Sequence, residues 1–220
     1  MCFSTTASFG AGIVLTVIGI ASLKKVQAKS QIMFASIPLL FAIQQFSEGF
    51  VWLSLSNTYF EPMEHIATYT FLFFAQVLWP FWVPMAILQL EKEPKRKNIQ
   101  KILTGLGALV AIYFAFLLVT YNVQAKIIGY HIAYKQSYSA VFGIVGGIFY
   151  IIASITPQFF SHVKRMWIFG VAILISYIIS AIFYEHFVVS VWCFFASIIS
   201  LTVFATLVEI KKSYKKQFEV

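Results

Sequence analysis

Residues 66–90 read IATYTFLFFAQVLWPFWVPMAILQL, and residues 91–97 read EKEPKRK. The first run carries no charged side chain, and an α-helix needs only ~20 apolar residues to cross a hydrocarbon core. The second run packs Lys92, Lys95, Arg96 and Lys97 into one short block. A long apolar run stopped by Lys and Arg is the pattern of a transmembrane helix whose end is held in the cytoplasm.

Working outward, the same pattern repeats. Further apolar stretches lie at about 7–23, 31–55, 102–121, 138–157, 166–184 and 187–208. The last two are separated by Tyr184-Glu185-His186, which is too polar for mid-membrane, so the sequence predicts two spans and a tight turn. Lys24, Lys25 and Lys29 follow the first span, and Lys101 extends the block after the third. Lys164 and Arg165 follow the fifth, and Lys211, Lys212, Lys215 and Lys216 the seventh. Only Lys126 and Lys135 fall in the alternate loops. Basic short loops stay inside. The expectation is an all-α integral membrane bundle of seven transmembrane helices, N-terminus outside and C-terminus cytoplasmic, forming one domain over 1–220. The segment 122–137 reads as the one long outer loop.

Composition agrees. The chain of 220 residues is 60% hydrophobic and 11% charged, against roughly 25% charged in soluble domains. Its net charge of +8 sits in short blocks that orient a membrane protein, so nucleic acid is not the expected partner. The two cysteines make no disulfide framework. All eight acids are Glu, which counts against mechanisms needing a catalytic Asp. No basic stretch precedes the first apolar run and no small-x-small site follows it, so no cleavable signal peptide is expected. Neither a Walker A motif nor a GxGxxG after a strand is present.

Glu48 is the one strongly ionisable side chain deep inside a predicted span, and intramembrane carboxyls usually face the bundle interior at a site. Gln44, Glu48 and Trp52 share a helical face, with Gln45 one position round. Ser190, Cys193, Ser197 and Ser200 form a matching stripe in the last span. At a rise of ~1.5 Å per residue, Glu48, Cys193, Tyr177 with Ser180, and Tyr69 reach similar depths. This predicts a polar pocket open to the outside, lined by Gln44, Gln45, Glu48, Trp52, Tyr69, Tyr177, Ser190, Trp192 and Cys193. The alternative is that Ser, Gln and Cys simply bond helices together.

Three histidines, His65, His131 and His186, fall on the predicted outer side. With Glu48 or a cysteine they could hold zinc or copper, although no HxxxH or HExxH spacing supports it. Cys2 has three readings: an N-terminal nucleophile or chelator after Met1 removal, a disulfide partner of Cys193, or no role. Pro80 and Pro84 should kink the third span. Gly143, Gly146 and Gly147 allow close packing in the fifth.

Four motifs carry a resemblance. They are Met1-Cys2-Phe3-Ser4-x-x-Ala7-Ser8-Phe9, Gln44-Gln45-x-x-Glu48-Gly49-x-x-Trp52, Trp79-Pro80-x-Trp82-Val83-Pro84, and Ser190-Val191-Trp192-Cys193-Phe194-Phe195-Ala196. Together they resemble an uncharacterised bacterial multi-span membrane family, a domain of unknown function. The resemblance implies a bacterial cytoplasmic membrane and no particular activity. A rhodopsin-like Schiff-base lysine is missing from 187–208. The Asp and His cluster of ceramidase-like and adiponectin-receptor-like hydrolases is missing too, as are G-protein-coupled receptor signatures.

Three functions stay open. The first is binding, sensing or transport of a small molecule or lipid at Glu48. The second is a membrane-embedded enzyme using Cys193 or Cys2 with Glu48 as acid and base. The third is a structural or assembly factor.

Overall fold

A computed structural model describes residues 4–164 and 166–218, with side chains through Lys211. Helix α1 (Thr5–Leu23) starts at Ser4, whose hydroxyl accepts the Ala7 N–H at 3.2 Å, one of the donors a helix start leaves open. A basic loop leads to the short α2 (Ile32–Ala35) and then to α3 (Ile37–Ser56). The next rod is built of α4 (Glu64–Leu72), a π-helical segment (Phe73–Leu78) and α5 (Trp79–Leu90). Pro80 falls in the first turn of α5, where a missing N–H costs least. Then come α6 (Pro94–Thr120), strands β1 (Val123–Ile128) and β2 (His131–Gln136), α7 (Ala140–Phe159) and α8 (Met166–Phe183). The chain ends in α9 (Val188–Ile199) and α10 (Leu201–Phe218), broken at Ser200.

Among the described residues, six helical stretches are long and apolar enough to cross a membrane: Thr5–Leu23, Thr58–Leu90, Pro94–Thr120, Ala140–Phe159, Met166–Phe183 and Glu185–Lys211. Their outer faces suit lipid: Val119 is 88% exposed, Ile102 73% and Ile182 68%, more apolar surface than water tolerates. The chain is a multi-pass membrane protein. Helix α3 is different. It spans 20 residues, but Gln44, Gln45 and Glu48 interrupt its apolar run, and most of its surface is buried by neighbours. It lies antiparallel against α1: a Cβ on Gly12 would come within 2.8 Å of Phe46, and one on Gly19 within 2.8 Å of Leu39.

The largest departure from the sequence reading is at 122–137. Instead of an irregular loop it forms a two-stranded antiparallel hairpin, in register from Val123 with Gln136 to Ile128 with His131. Gly129, at φ +62°, makes the turn, a backbone region glycine enters without steric cost. The hairpin does not stand in solvent. Ala125 and Ile132 pack onto Val51, Trp52 and Ala67, and Tyr134 stacks on Phe71 at 4.9 Å. Gln136 exchanges two hydrogen bonds with Gln76, at 2.9 and 3.1 Å, and also accepts the Tyr138 hydroxyl. The hairpin is thereby fastened to the π-helical segment.

The opposite end carries the basic loops. There Glu91 is buried. Its carboxylate accepts the N–H groups of Lys92, Glu93 and His162 at 3.1, 3.0 and 2.9 Å and meets the His162 ring at 2.8 Å. Burial pushes this carboxyl up, but the backbone bonds from His162 and Glu93 and the His162 ring outweigh it and hold it below its ordinary value. Arg96 adds a bond to the Ser161 carbonyl at 2.8 Å. The loops at 91–93 and 160–164, both predicted to share one side, are tied together at one end of the bundle.

Candidate functional site

Glu48 is 0% exposed at the middle of α3. Ser190, at the start of α9, donates to its Oε1 at 2.5 Å. Its Oε2 has no partner among the described residues. No ion pair reaches it either: the described ones join Arg96 to Glu93 and His162 to Glu91. Gln45, three residues back and on an adjoining face, is also 0% exposed, with neither amide atom partnered among the described residues. Buried polar groups are nearly always bonded, and each one left open costs about 1–3 kcal/mol. This layer therefore holds unmet hydrogen-bonding capacity in one place.

One turn along, Gln44 faces the next layer. Its Oε1 accepts the Trp79 indole N–H at 2.7 Å. Trp79 stacks on Phe41 at 3.9 Å. Trp79, Phe41 and Cys193, with Tyr150, Trp192 and Phe169, line an apolar cleft of about 40 Å³. Trp192 meets Tyr150 and Tyr177 edge-on at 5.6 and 5.0 Å. The Tyr150 hydroxyl donates to the Ala75 carbonyl at 2.7 Å. Ala75 lies in the π-helical segment, where the altered bonding turns a carbonyl toward a side-chain donor.

A family model matches the chain over residues 1–217. The chain belongs to DUF6629, a family of unknown function. No curated protein and no solved structure matches it. In this member of DUF6629, three of the four motifs noted in the sequence build the two layers. The Gln44–Trp52 run supplies Gln44, Gln45 and Glu48. The Trp79–Pro84 run supplies Trp79 and Val83, and the Ser190–Ala196 run supplies Ser190, Trp192, Cys193 and Ala196. The N-terminal motif lies partly beyond the described residues, and Cys2 is among those outside them.

The structure brings Gln44, Glu48, Ser190, Trp192 and Cys193 together and leaves other expected members aside. Trp52 is buried under the hairpin with Val51, Ala125 and Ile132. This closes the outer opening expected above Glu48, because the 122–137 segment folds inward over α3 instead of looping away. The cleft lies instead on the other side of Glu48, beyond Gln44. Tyr69 stacks on His65 at 4.3 Å, and Tyr177 meets Trp192 edge-on; neither bonds Glu48. Cys193 is a buried free thiol among the described residues, and the pairing with Cys2 lies outside them.

The histidines do not converge. His65 and His186 are exposed, while His131 stacks on Phe187 at 4.7 Å and burial holds its pKa below the usual imidazole range. Among the described residues no three His, Cys, Asp or Glu come together to hold a metal, so the zinc or copper site drawn from His65, His131 and His186 has no geometry behind it. Sequence reading missed Gln76, Tyr150 and Gln136. Gln76 had a signal, being a lone amide deep in a run of aromatics and aliphatics.

Proposed function

We propose that this chain is a seven-span membrane protein, N-terminus outside and C-terminus cytoplasmic, that binds a small molecule or lipid at the layer of Glu48, Gln45 and Ser190. Helix α3 is the span that brings the six to seven, second in chain order. Its polar residues are supported by neighbouring helices instead of facing lipid, as intramembrane polar groups require. The hairpin end is outside, and the end tied by Glu91 and His162 is cytoplasmic, matching the basic loops. One observation carries the binding reading: Glu48 and Gln45 are wholly buried with open hydrogen-bonding positions, one turn from a cleft whose wall includes Cys193. A purely structural layer would close those positions among its own side chains.

The cleft offers the way in. Its aromatic walls favour an apolar body, and Gln44 is the partition between it and Glu48. Binding is tested with 1-aminoanthracene, a fluorescent aromatic probe, on full-length protein in lipid nanodiscs. Saturable fluorescence that disappears when Ala196→Phe fills the cleft is the expected result. A signal unchanged by Ala196→Phe would remove the cleft from the account. Topology is tested with an impermeant thiol reagent on intact cells. Tyr59→Cys, at a position 82% exposed at the hairpin end, should label from outside, and Lys95→Cys only after lysis.

A further inference from the structure

We infer that the ligand is an amphipathic organic cation: an ammonium head for Glu48 on an apolar, preferably aromatic, body. The inference rests on the binding reading above and adds the charge of the ligand. Two features of the layer select for positive charge. First, the open positions on α3 include two acceptors three residues apart, Glu48 Oε2 and Gln45 Oε1, beside the Gln44 and Gln45 Nε2 donors. An ammonium carries three donors and no acceptor, so one head group can serve both acceptors. Second, Glu48 has no cation of its own among the described residues. The Lys and Arg residues stand in loops, the hairpin or helix ends, and no described ion pair includes Glu48. A buried carboxylate is strongly disfavoured without a counter-charge, and a ligand that brings one removes that penalty. An anionic ligand would add to it.

The cleft beside the layer, walled by Trp79, Trp192, Tyr150 and Phe41, supplies aromatic surroundings for the body of such a ligand.

The test uses one apolar body with three head groups: 4-phenylbutylamine, 4-phenylbutanol and 4-phenylbutyrate. Each competes with 1-aminoanthracene on the full-length protein in nanodiscs of zwitterionic lipid, so that the membrane itself adds no charge preference. The amine should bind about tenfold or more tightly than the alcohol, as a charge-assisted bond predicts, and the butyrate weakest. In Glu48→Gln the amine should fall to the level of the alcohol while the alcohol stays unchanged. Gly105→Ala, where an added Cβ meets nothing within 4 Å, should keep the preference for amine and supplies a folded control.

Amine and alcohol competing equally in the wild type would overturn the charge assignment while leaving the binding site intact. Butyrate binding best would overturn it in favour of an anion. No competition by any of the three, with 1-aminoanthracene still bound, would also overturn it. Failure of 1-aminoanthracene itself to bind would instead bring down the binding reading on which the inference stands.

Discussion

Replacing Gln76 with Leu should loosen the hairpin without unfolding the bundle. Gln76 is 7% exposed and makes two hydrogen bonds to Gln136, at 3.1 and 2.9 Å. In Gln76→Leu the Gln136 amide loses both bonds to Gln76 and keeps only the Tyr138 hydroxyl. An amide left open in a desolvated place costs about 1–3 kcal/mol, which raises the opening equilibrium of the hairpin about 5- to 150-fold at 1.36 kcal/mol per factor of ten. The packing of Ala125 and Ile132 and the stack of Tyr134 on Phe71 remain, so opening stays local. The same arithmetic predicts that Gln76→Leu/Gln136→Leu recovers part of the loss, since only the half-buried Tyr138 hydroxyl is left without its acceptor. Hydrogen exchange of the 123–136 amides, read by mass spectrometry in nanodiscs, measures this directly. Exchange in Gln76→Leu equal to wild type, or a double variant worse than the two single variants combined, would refute the reasoning.

Other substitutions probe the remaining joints. Trp79→Phe keeps the stack on Phe41 but leaves the Gln44 Oε1 without its 2.7 Å donor; it should cost about 1–3 kcal/mol, read as a lowered midpoint in thermal unfolding. Two glycines on α6 should behave oppositely. A Cβ on Gly107 would sit 2.0 Å from the Pro80 carbonyl oxygen, whereas one on Gly105 meets nothing within 4 Å. Gly107→Ala should therefore destabilise by about 1–3 kcal/mol or more while Gly105→Ala does not, and equal melting of the two would contradict the close α5–α6 packing. At the other end, Glu91 is held below its ordinary value by its bonds with His162 and Glu93. Its contribution is therefore complete above about pH 4.3, the unfolded-state carboxyl value, and fades as pH falls through the lower folded-state value. The thermal-stability gap between wild type and Glu91→Gln should be full at neutral pH and shrink in acid, whereas a gap independent of pH would contradict the assignment.

Much of the helix pattern was legible because lipid imposes simple demands. Runs such as 102–121 and 166–184 had to be helical, and α6 and α8 lie over them. The break between 184 and 187 followed from Glu185 and His186, and a short turn stands there. The 122–137 hairpin was missed although its signal is present: Val123, Ala125 and Ile127 alternate with Gln124 and Lys126 before Gly129. Strand alternation is a weak signal in so short a segment, and nothing local says that Ala125 and Ile132 will find Trp52.

The stripe Gln44–Glu48 with Ser190–Cys193 was readable from helical periodicity alone. Tyr69 and Tyr177 were drawn in by depth alone, and equal depth does not fix which way a ring turns. Gln76 and Tyr150 escaped because their roles depend on the π-helical segment, which shifts the register of everything after Phe73 and leaves no trace in composition.

The account stands on Glu48 being reachable from the aromatic cleft. Dicyclohexylcarbodiimide, a lipid-soluble carboxyl reagent, can be applied to the protein in membranes, and adducts located by peptide mass. Glu48 should be modified, and saturating 1-aminoanthracene in the cleft should slow that modification. Glu48 left unmodified, or modified at the same rate with the cleft filled, would show a sealed structural carboxyl and contradict the account.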